Sequence, residues 1–272
     1  MLFRSSAKSE LAAHALQPRK KWGQHFLTDT RILAHIADAA DITRDDTILE
    51  IGPGLGHLTR VLAERAGRVV AVEVDADLAT RLQNEFTAAS NVTIVRGDIL
   101  QYAPFDLVGA PYKIVANLPY YITSAILRHV LETECKPRVV VVMVQREVAQ
   151  RIVARPPAMN LLAVSVQLYA RPRVMRVVPA GSFYPRPKVD SAVVRLEVEP
   201  APRVADPVRF FEIARAGFGE KRKQLRNALA HGLNLEREVV DTALARARID
   251  PGRRAETLTL AEWTAVCRAL PA

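Results

Sequence analysis

Between residues 47 and 144, short apolar runs alternate with segments whose apolar residues recur at helical spacing, and no other feature limits the possible folds of this chain as much. Residues 47–51, 68–74, 92–95, 113–116 and 138–144 read as strands. Between them, Leu58, Val61, Leu62 and Arg65, then Leu78, Leu82 and Phe86, and then residues 123–131 follow the 3.6-residue period of a helix. Residues 138–144 are almost pure valine, as expected of a strand covered on both faces. The pattern predicts an α/β domain with a mainly parallel sheet wrapped by helices.

The flanks differ in texture. Residues 1–21 read as a loose basic arm ending in Pro18-Arg-Lys-Lys21. Thr28 or Asp29 can cap a helix whose Ile32, Leu33, Ile36, Ala37 and Ala40 share one face. Past residue 155, Pro156-Pro157 break the chain. Residues 164–168, 174–178 and 193–198 read as strands, the last turning back along the sheet edge. From Asp206 the spacing is helical, beginning with Phe210, Phe211, Ala214 and Phe218 and ending at residues 258–270. Pro200-Ala-Pro202 is the linker candidate, so the expected organisation is an arm over 1–21, an α/β domain over 22–200 and a small helical domain over 201–272.

The 272 residues, 49% of them apolar, are enough for a substantial core. No apolar run approaches the ~18 residues of a membrane span, and MLFRSSAKSE lacks the continuous apolar stretch of a signal peptide. Two cysteines without metal-type spacing make no disulfide framework, so a reducing cytoplasm is the expected compartment. The 38 Lys and Arg exceed the 29 Asp and Glu, giving a net charge of +9 that favours a polyanionic partner. The cluster Lys221, Arg222, Lys223 and Arg226 is the candidate for phosphate contact, although charge runs are usually solvated faces.

Glu50-Ile-Gly-Pro-Gly-Leu-Gly56 stands where a strand hands over to a helix. Gly52, Gly54 and Gly56 let the backbone turn tightly and approach a ligand. Glu73, ending the next strand, can accept both hydroxyls of a ribose, and Asp98, closing the third, can accept from an adenine amino group. The loop is not the G-x-G-x-x-G of dinucleotide sites, and its Pro53 stiffens a site that need not cradle a pyrophosphate. An amino-acid end, as in S-adenosylmethionine, suits its backbone groups better. After the fourth strand comes Asn117-Leu-Pro-Tyr120. An adenine amino nitrogen is a poor nucleophile because its lone pair is delocalised into the ring. The Asn117 side chain and the Leu118 carbonyl can accept its hydrogens and favour the pyramidal form. Pro119 fixes the turn, and Tyr120 offers a stacking face worth ~1–3 kcal/mol by analogy with single-strand binders. His57, at a helix start, reads as a surface residue. The chemistry calls for no metal ligand.

These segments, together with Gly23-Gln-His-Phe-Leu27, Gly97-Asp98, Met143-Val-Gln-Arg-Glu-Val148, Phe183-Tyr-Pro-Arg-Pro-Lys-Val-Asp-Ser191 and Lys221-Arg-Lys-Gln-Leu-Arg-Asn227, resemble the KsgA-type small-subunit ribosomal RNA adenine dimethyltransferases. The resemblance runs from about residue 20 to 227 in family order. It implies a Rossmann-like S-adenosylmethionine-dependent methyltransferase domain with a small C-terminal helical domain. It implies that His25, Leu27, Gly52, Gly54, Glu73, Asp98 and Asn117 contact the cofactor, and that Phe183 stacks on the target base opposite Tyr120. It further implies transfer of two methyl groups to each of two adjacent adenosines near the 3′ end of small-subunit ribosomal RNA, during assembly. The expected partner is the immature small ribosomal subunit, met by a monomer away from any membrane. His25 stands where the family often has Asn, Tyr121 also replaces a frequent Asn, and Pro156-Pro-Ala-Met-Asn-Leu-Leu162 differs from many relatives. Two alternatives are a large-subunit adenine methyltransferase conferring macrolide resistance and a non-catalytic assembly or transcription factor on the same fold.

Overall fold

The computed structural model describes residues 7–13, 17–19, 22–109, 111–220 and 222–271. Packing divides the chain into two compact units, Met1–Ala149 with Pro172–Val198 and Gln150–Arg171 with Glu199–Ala272. In chain order, α1 (Ala7–Ala13), β1 (Phe26–Leu27) and α2 (Thr30–Asp38) come first. Next are β2 (Thr47–Ile51), α3 (His57–Arg65), β3 (Arg68–Glu73), α4 (Ala76–Glu85), β4 (Val92–Arg96), α5 (Pro104–Val108), β5 (Tyr112–Asn117), α6 (Thr123–Glu132) and β6 (Val139–Gln145). The chain leaves the first unit through α7 (Arg146–Ile152) and forms α8 (Leu161–Gln167) in the second. It returns along β7 (Ala170–Val178), then β8 (Phe183–Tyr184) and β9 (Ser191–Val198). The second unit is completed by α9 (Pro207–Gly219), α10 (Leu225–Leu233), α11 (Arg237–Arg246) and α12 (Leu260–Ala269).

Among the described residues one sheet has the order β4-β3-β2-β5-β6-β9-β7. The first five strands are parallel. The chain builds outward from β2 to β4, then crosses over to β5 and β6. The connections leaving β2 and β5 therefore diverge, and open α/β sheets bind ligands at such a point. β9 runs antiparallel to β6, with Val142 opposite Val194. It is not the edge strand that the sequence pattern implies, because β7 lies outside it. The consecutive residues Val193 and Val194 are both fully buried, as an inner strand covered on both faces requires.

Local sequence explains the elements that hold the core. Asp29 caps α2 by accepting a hydrogen bond from the Arg31 backbone at 3.0 Å. Ile32, Leu33, Ile36 and Ala37 then pack against Leu58 and Leu62 of α3 and Val115 and Val141 of the sheet. Residues 7–13 are not part of a loose arm. Ala7 and Leu11, one helical turn apart on α1, join an apolar cluster with Phe26, Leu55 and Leu78. Residues 1–6, 14–16, 20 and 21 of that expected arm lie outside the described residues.

In the second unit, residues 164–167 are helical rather than a strand. The valines favour a strand locally, but Asn160 caps the segment by accepting from the Ala163 N–H at 3.0 Å. Ala163, Val164 and Val166 are buried, and α8 packs on α9. That packing groups 150–171 with the C-terminal helices instead of with a domain spanning 22–200. Met159 turns inward, and its N–H reaches the Glu256 carbonyl at 3.0 Å. Trp263 is fully buried and stacks on Phe218 at 5.2 Å. Gly217 lies so close that a Cβ there would come within 2.3 Å of the indole. No helix of the described residues is long and apolar enough to cross a membrane.

Candidate active site

A cavity of about 270 Å³ opens at the C-terminal ends of β2, β3 and β5. Its floor is the glycine loop. Gly52, Gly54 and Gly56 have φ of +70°, +59° and +75°, a region where an L side chain is strained. The Gly52 N–H reaches the Val72 carbonyl at 2.9 Å, and the Gly54 N–H reaches Oε2 of Glu73 at 2.9 Å. The second Glu73 oxygen accepts from the Asp75 N–H at 2.9 Å. Two backbone donors thus fix the carboxylate, and each oxygen keeps a lone pair for a ligand hydroxyl. Burial pushes the Glu73 carboxyl above its ordinary range, and those N–H bonds oppose the shift. Asp98 accepts from the Leu100 N–H through one oxygen at 3.0 Å and also lines the cavity.

Glu50 belongs to the sequence motif, but its residue type and position alone assign it no role. Only 1% of it is exposed, it lines the cavity, and its Oε2 has no hydrogen-bond partner. Burial pushes it up to about 8; the Thr59 hydroxyl opposes the shift and the Glu73 charge adds to it. A buried acceptor without a partner is costly unless a ligand satisfies it. Two adjoining buried carboxyl groups favour a ligand that brings hydrogen-bond donors and positive charge.

β5 delivers Asn117 to the opposite wall. Its Nδ2 donates to the His25 carbonyl at 3.2 Å, which leaves Oδ1 as a free acceptor on a cavity-lining side chain. Leu118 is buried and anchored through its N–H to the Met143 carbonyl at 3.1 Å. The Pro119 carbonyl accepts from the Thr123 hydroxyl at 3.1 Å, which ties the turn to α6. The Tyr120 hydroxyl and Ser191 Oγ lie 2.6 Å apart, so the phenol is pinned at its far end. Burial raises the Tyr120 phenol, and the Ser191 bond opposes this. The His25 ring stacks on Tyr120 at 5.7 Å, and its Nδ1 lies 2.7 Å from the Pro185 carbonyl.

His25, Leu27, Gly52, Gly54, Glu73, Asp98, Asn117, Leu118, Pro119 and Tyr120 all line this one cavity. Phe183 does not. It pairs with Leu27 between β8 and β1 and is buried in the core beside Leu33 and Val178. The aromatic facing Tyr120 is His25, and Phe183, buried in the core, offers no face to a base, contrary to the expected stacking role. His57 is also not a surface residue: it is buried, with Nδ1 2.8 Å from the Leu27 carbonyl. Sequence reasoning missed Ser191 because it reaches Tyr120 from 71 positions away along the chain.

Residues 15–270 match the sequence profile of a family described as ribosomal RNA adenine dimethylase. The chain belongs to that family. Among the relatives of this adenine dimethylase, a "Ribosomal RNA small subunit methyltransferase A" of Dehalococcoides mccartyi is 49% identical over 97% of this chain and 92% of its own. One of the same name from Moorella thermoacetica is 44% identical over 94% and 93%. Among solved structures, the 23S rRNA methyltransferase ErmE superposes with a TM-score of 0.72 at 29% identity, covering 90% of this chain and 99% of its own. A dimethyladenosine transferase from Plasmodium falciparum gives a TM-score of 0.77 at 23% identity, covering 89% and 96%, and shares the fold.

S-adenosylmethionine is the methyl donor of this adenine dimethylase, and the cavity fits it. The partnerless Glu50 oxygen and the Glu73 carboxylate, held by the Gly54 N–H, are what a cationic amino acid joined to a nucleoside needs. When bound, this cofactor supplies an electrophilic methyl group on a sulfonium. Replacing Glu73 with Ala should weaken cofactor affinity by about 1.5–3 kcal/mol, the range for hydrogen bonds to a charged group. Calorimetry on the folded variant checks this, and unchanged binding would remove Glu73 from the site.

Proposed function

We propose that this adenine dimethylase transfers two methyl groups to the N6 amino group of each of two adjacent adenosines near the 3′ end of small-subunit ribosomal RNA. On this reading it acts as a cytoplasmic monomer on the immature small subunit during assembly. The observation that carries the reaction is the clamp on Asn117. With Nδ2 committed to the His25 carbonyl, Oδ1 is presented to accept a hydrogen from the incoming amino group. Tyr120, held by Ser191, supplies the face on which the base rests. Positioning does the remaining work, because methyl transfer requires in-line approach of nitrogen to carbon.

The choice of subunit rests on similarity. Relatives at 44–49% identity over more than nine-tenths of both chains carry the small-subunit name, whereas the 23S enzyme stands at 29%. Labelled cofactor offered with separated immature subunits, followed by mapping of the modified base, tests the reading. Label confined to large-subunit RNA would favour the alternative target. Binding without transfer to any ribosomal RNA would favour an assembly factor.

The basic cluster of the second unit is less free than its charge implies. Lys223 pairs with Glu220, and Arg226 pairs with Asp241 at 3.2 Å, while Arg222 is exposed. Lys221 lies outside the described residues. The exposed Lys223 pair is worth ~1 kcal/mol or less and exchanges readily for phosphate, whereas the contacting atoms of Arg226 and Asp241 are buried. Replacing Lys221, Arg222, Lys223 and Arg226 with Ala should lower RNA affinity. Its salt dependence should flatten by about 0.7–0.9 for each phosphate that is no longer neutralised. Cofactor binding should persist. A salt slope equal to wild type would leave these residues as a solvated face.

A further inference from the structure

Both walls of the cofactor cavity are fastened from behind by one acidic side chain on α1. The Leu27 carbonyl lies 2.8 Å from His57 Nδ1, and His57 Nε2 lies 2.8 Å from Glu10 Oε2. The other Glu10 oxygen contacts Arg81 and, at 3.4 Å, Arg60. Arg81 in turn donates from Nη1 to the Leu55 carbonyl at 3.2 Å. Leu27 belongs to the wall formed by β1, and Leu55 to the glycine loop. Glu10, His57 and Arg81 are nearly buried, with side chains 12%, 8% and 10% exposed. Burial raises the Glu10 carboxyl, but the His57 hydrogen bond and the charges of His57, Arg81 and Arg60 outweigh this and hold it at about 2. The two walls also touch directly, since a Cβ on Gly54 would lie 3.1 Å from the Phe26 ring.

We infer that Glu10 is a positioning residue for the methyl-transfer reaction, which locks the β1 wall and the glycine loop in the register that admits the cofactor. The inference rests on reading this cavity as the cofactor site. Removing the carboxylate takes away the acid that His57, Arg60 and Arg81 have in common, and the two arginines are left to share Glu85. The grip of His57 and Arg81 on the Leu27 and Leu55 carbonyls loosens, and the cavity is no longer set before the cofactor arrives. The partners of Glu10 lie on α3 and α4, so its loss reaches Asn117 only through the wall that carries the His25 carbonyl, and bound cofactor resets that wall.

Glu10→Ala should raise both the Kd and the KM for S-adenosylmethionine about 10-fold or more, by analogy with loss of an outer partner behind a metal ligand. Glu10→Gln should raise them by less. At saturating cofactor, kcat should stay within about two-fold of wild type, and RNA affinity should not change. Double replacement of Glu10 and Arg81 should cost less than the sum of the single replacements, because they act as one unit. If Glu10→Ala does not fold, Glu10→Gln carries the test, since it keeps the shape and removes only the charge. A folded variant with a lowered Tm but wild-type cofactor Kd overturns the inference. Glu73→Ala run in parallel separates the two readings. If it weakens cofactor binding and the Glu10 variants do not, only the role of Glu10 falls. If neither weakens binding, the assignment of the cavity falls as well.

Discussion

An Asn117→Ala variant should keep its fold and its affinity for RNA while turnover falls by about 100- to 1,000-fold, the range seen when one preorganised partner of a transition state is removed. Oδ1 matters most as the amino nitrogen becomes pyramidal, since its hydrogens grow more acidic while the nitrogen attacks. The loss should therefore fall on kcat rather than on the KM for RNA. The His25 carbonyl also loses its Nδ2 donor, so cofactor binding should weaken modestly through that wall. The side chain is only half-buried and contributes little to the core, which keeps the fold intact. Single-turnover methylation of immature small subunits, paired with circular dichroism, checks this result. A folded variant working at near wild-type rate would end the catalytic role of residues 117–120.

Replacement of Glu50 by Gln should stabilise the cofactor-free protein at neutral and alkaline pH while weakening cofactor binding. The folded carboxyl sits at about 8 against an ordinary 4.5, so the native state holds its proton more tightly than the unfolded chain. Below about 4.5 both states are protonated and the group imposes no penalty. Between 4.5 and 8 the unfolded state ionises while the native state resists, so stability drains away as pH rises. Above 8 the full penalty remains, on the order of a few kcal/mol at 1.36 kcal/mol per unit. Gln does not ionise, so the variant should melt above wild type at pH 8, and the gap should close toward pH 4.5. A donor-rich, cationic ligand restores the ionised form, so cofactor binding near pH 7 should release a proton. Calorimetry in buffers of different ionisation enthalpy would read that release. A melting difference independent of pH would show that Glu50 ionises normally in the native state.

The features legible in sequence are those whose signal is local. Strand–helix alternation yields the order of β2 to β6, because each element carries its own period. The glycine loop, Glu73, Asp98 and residues 117–120 are readable because a parallel sheet brings its strand ends to one edge, whichever residues lie between. What escapes depends on long-range partners. The valines of residues 164–167 favour a strand, yet Asn160 and the surface of α9 make them a helix. The family resemblance places Phe183 against the target base, but pairing with Leu27, 156 positions earlier, turns it into the core. Glu10 reads as one residue of a basic arm, and only the arrival of His57, Arg60 and Arg81 gives it a task.

The return of the chain from α8 to β7 has a consequence for how the protein is made. Residues 150–171 leave the ribosome before β9, but α9, on which α8 packs, follows only after Glu199. Synthesis proceeds at about 5–20 residues per second. For several seconds, therefore, the apolar face formed by Ala163, Val164 and Val166 has nothing to bury against. Once Val198 has cleared the ribosome, the emerged chain would hold the strands of the sheet and an unsheltered helix. It is at this length, rather than at the level of the finished protein, that a chaperone holding exposed apolar segments would find its target.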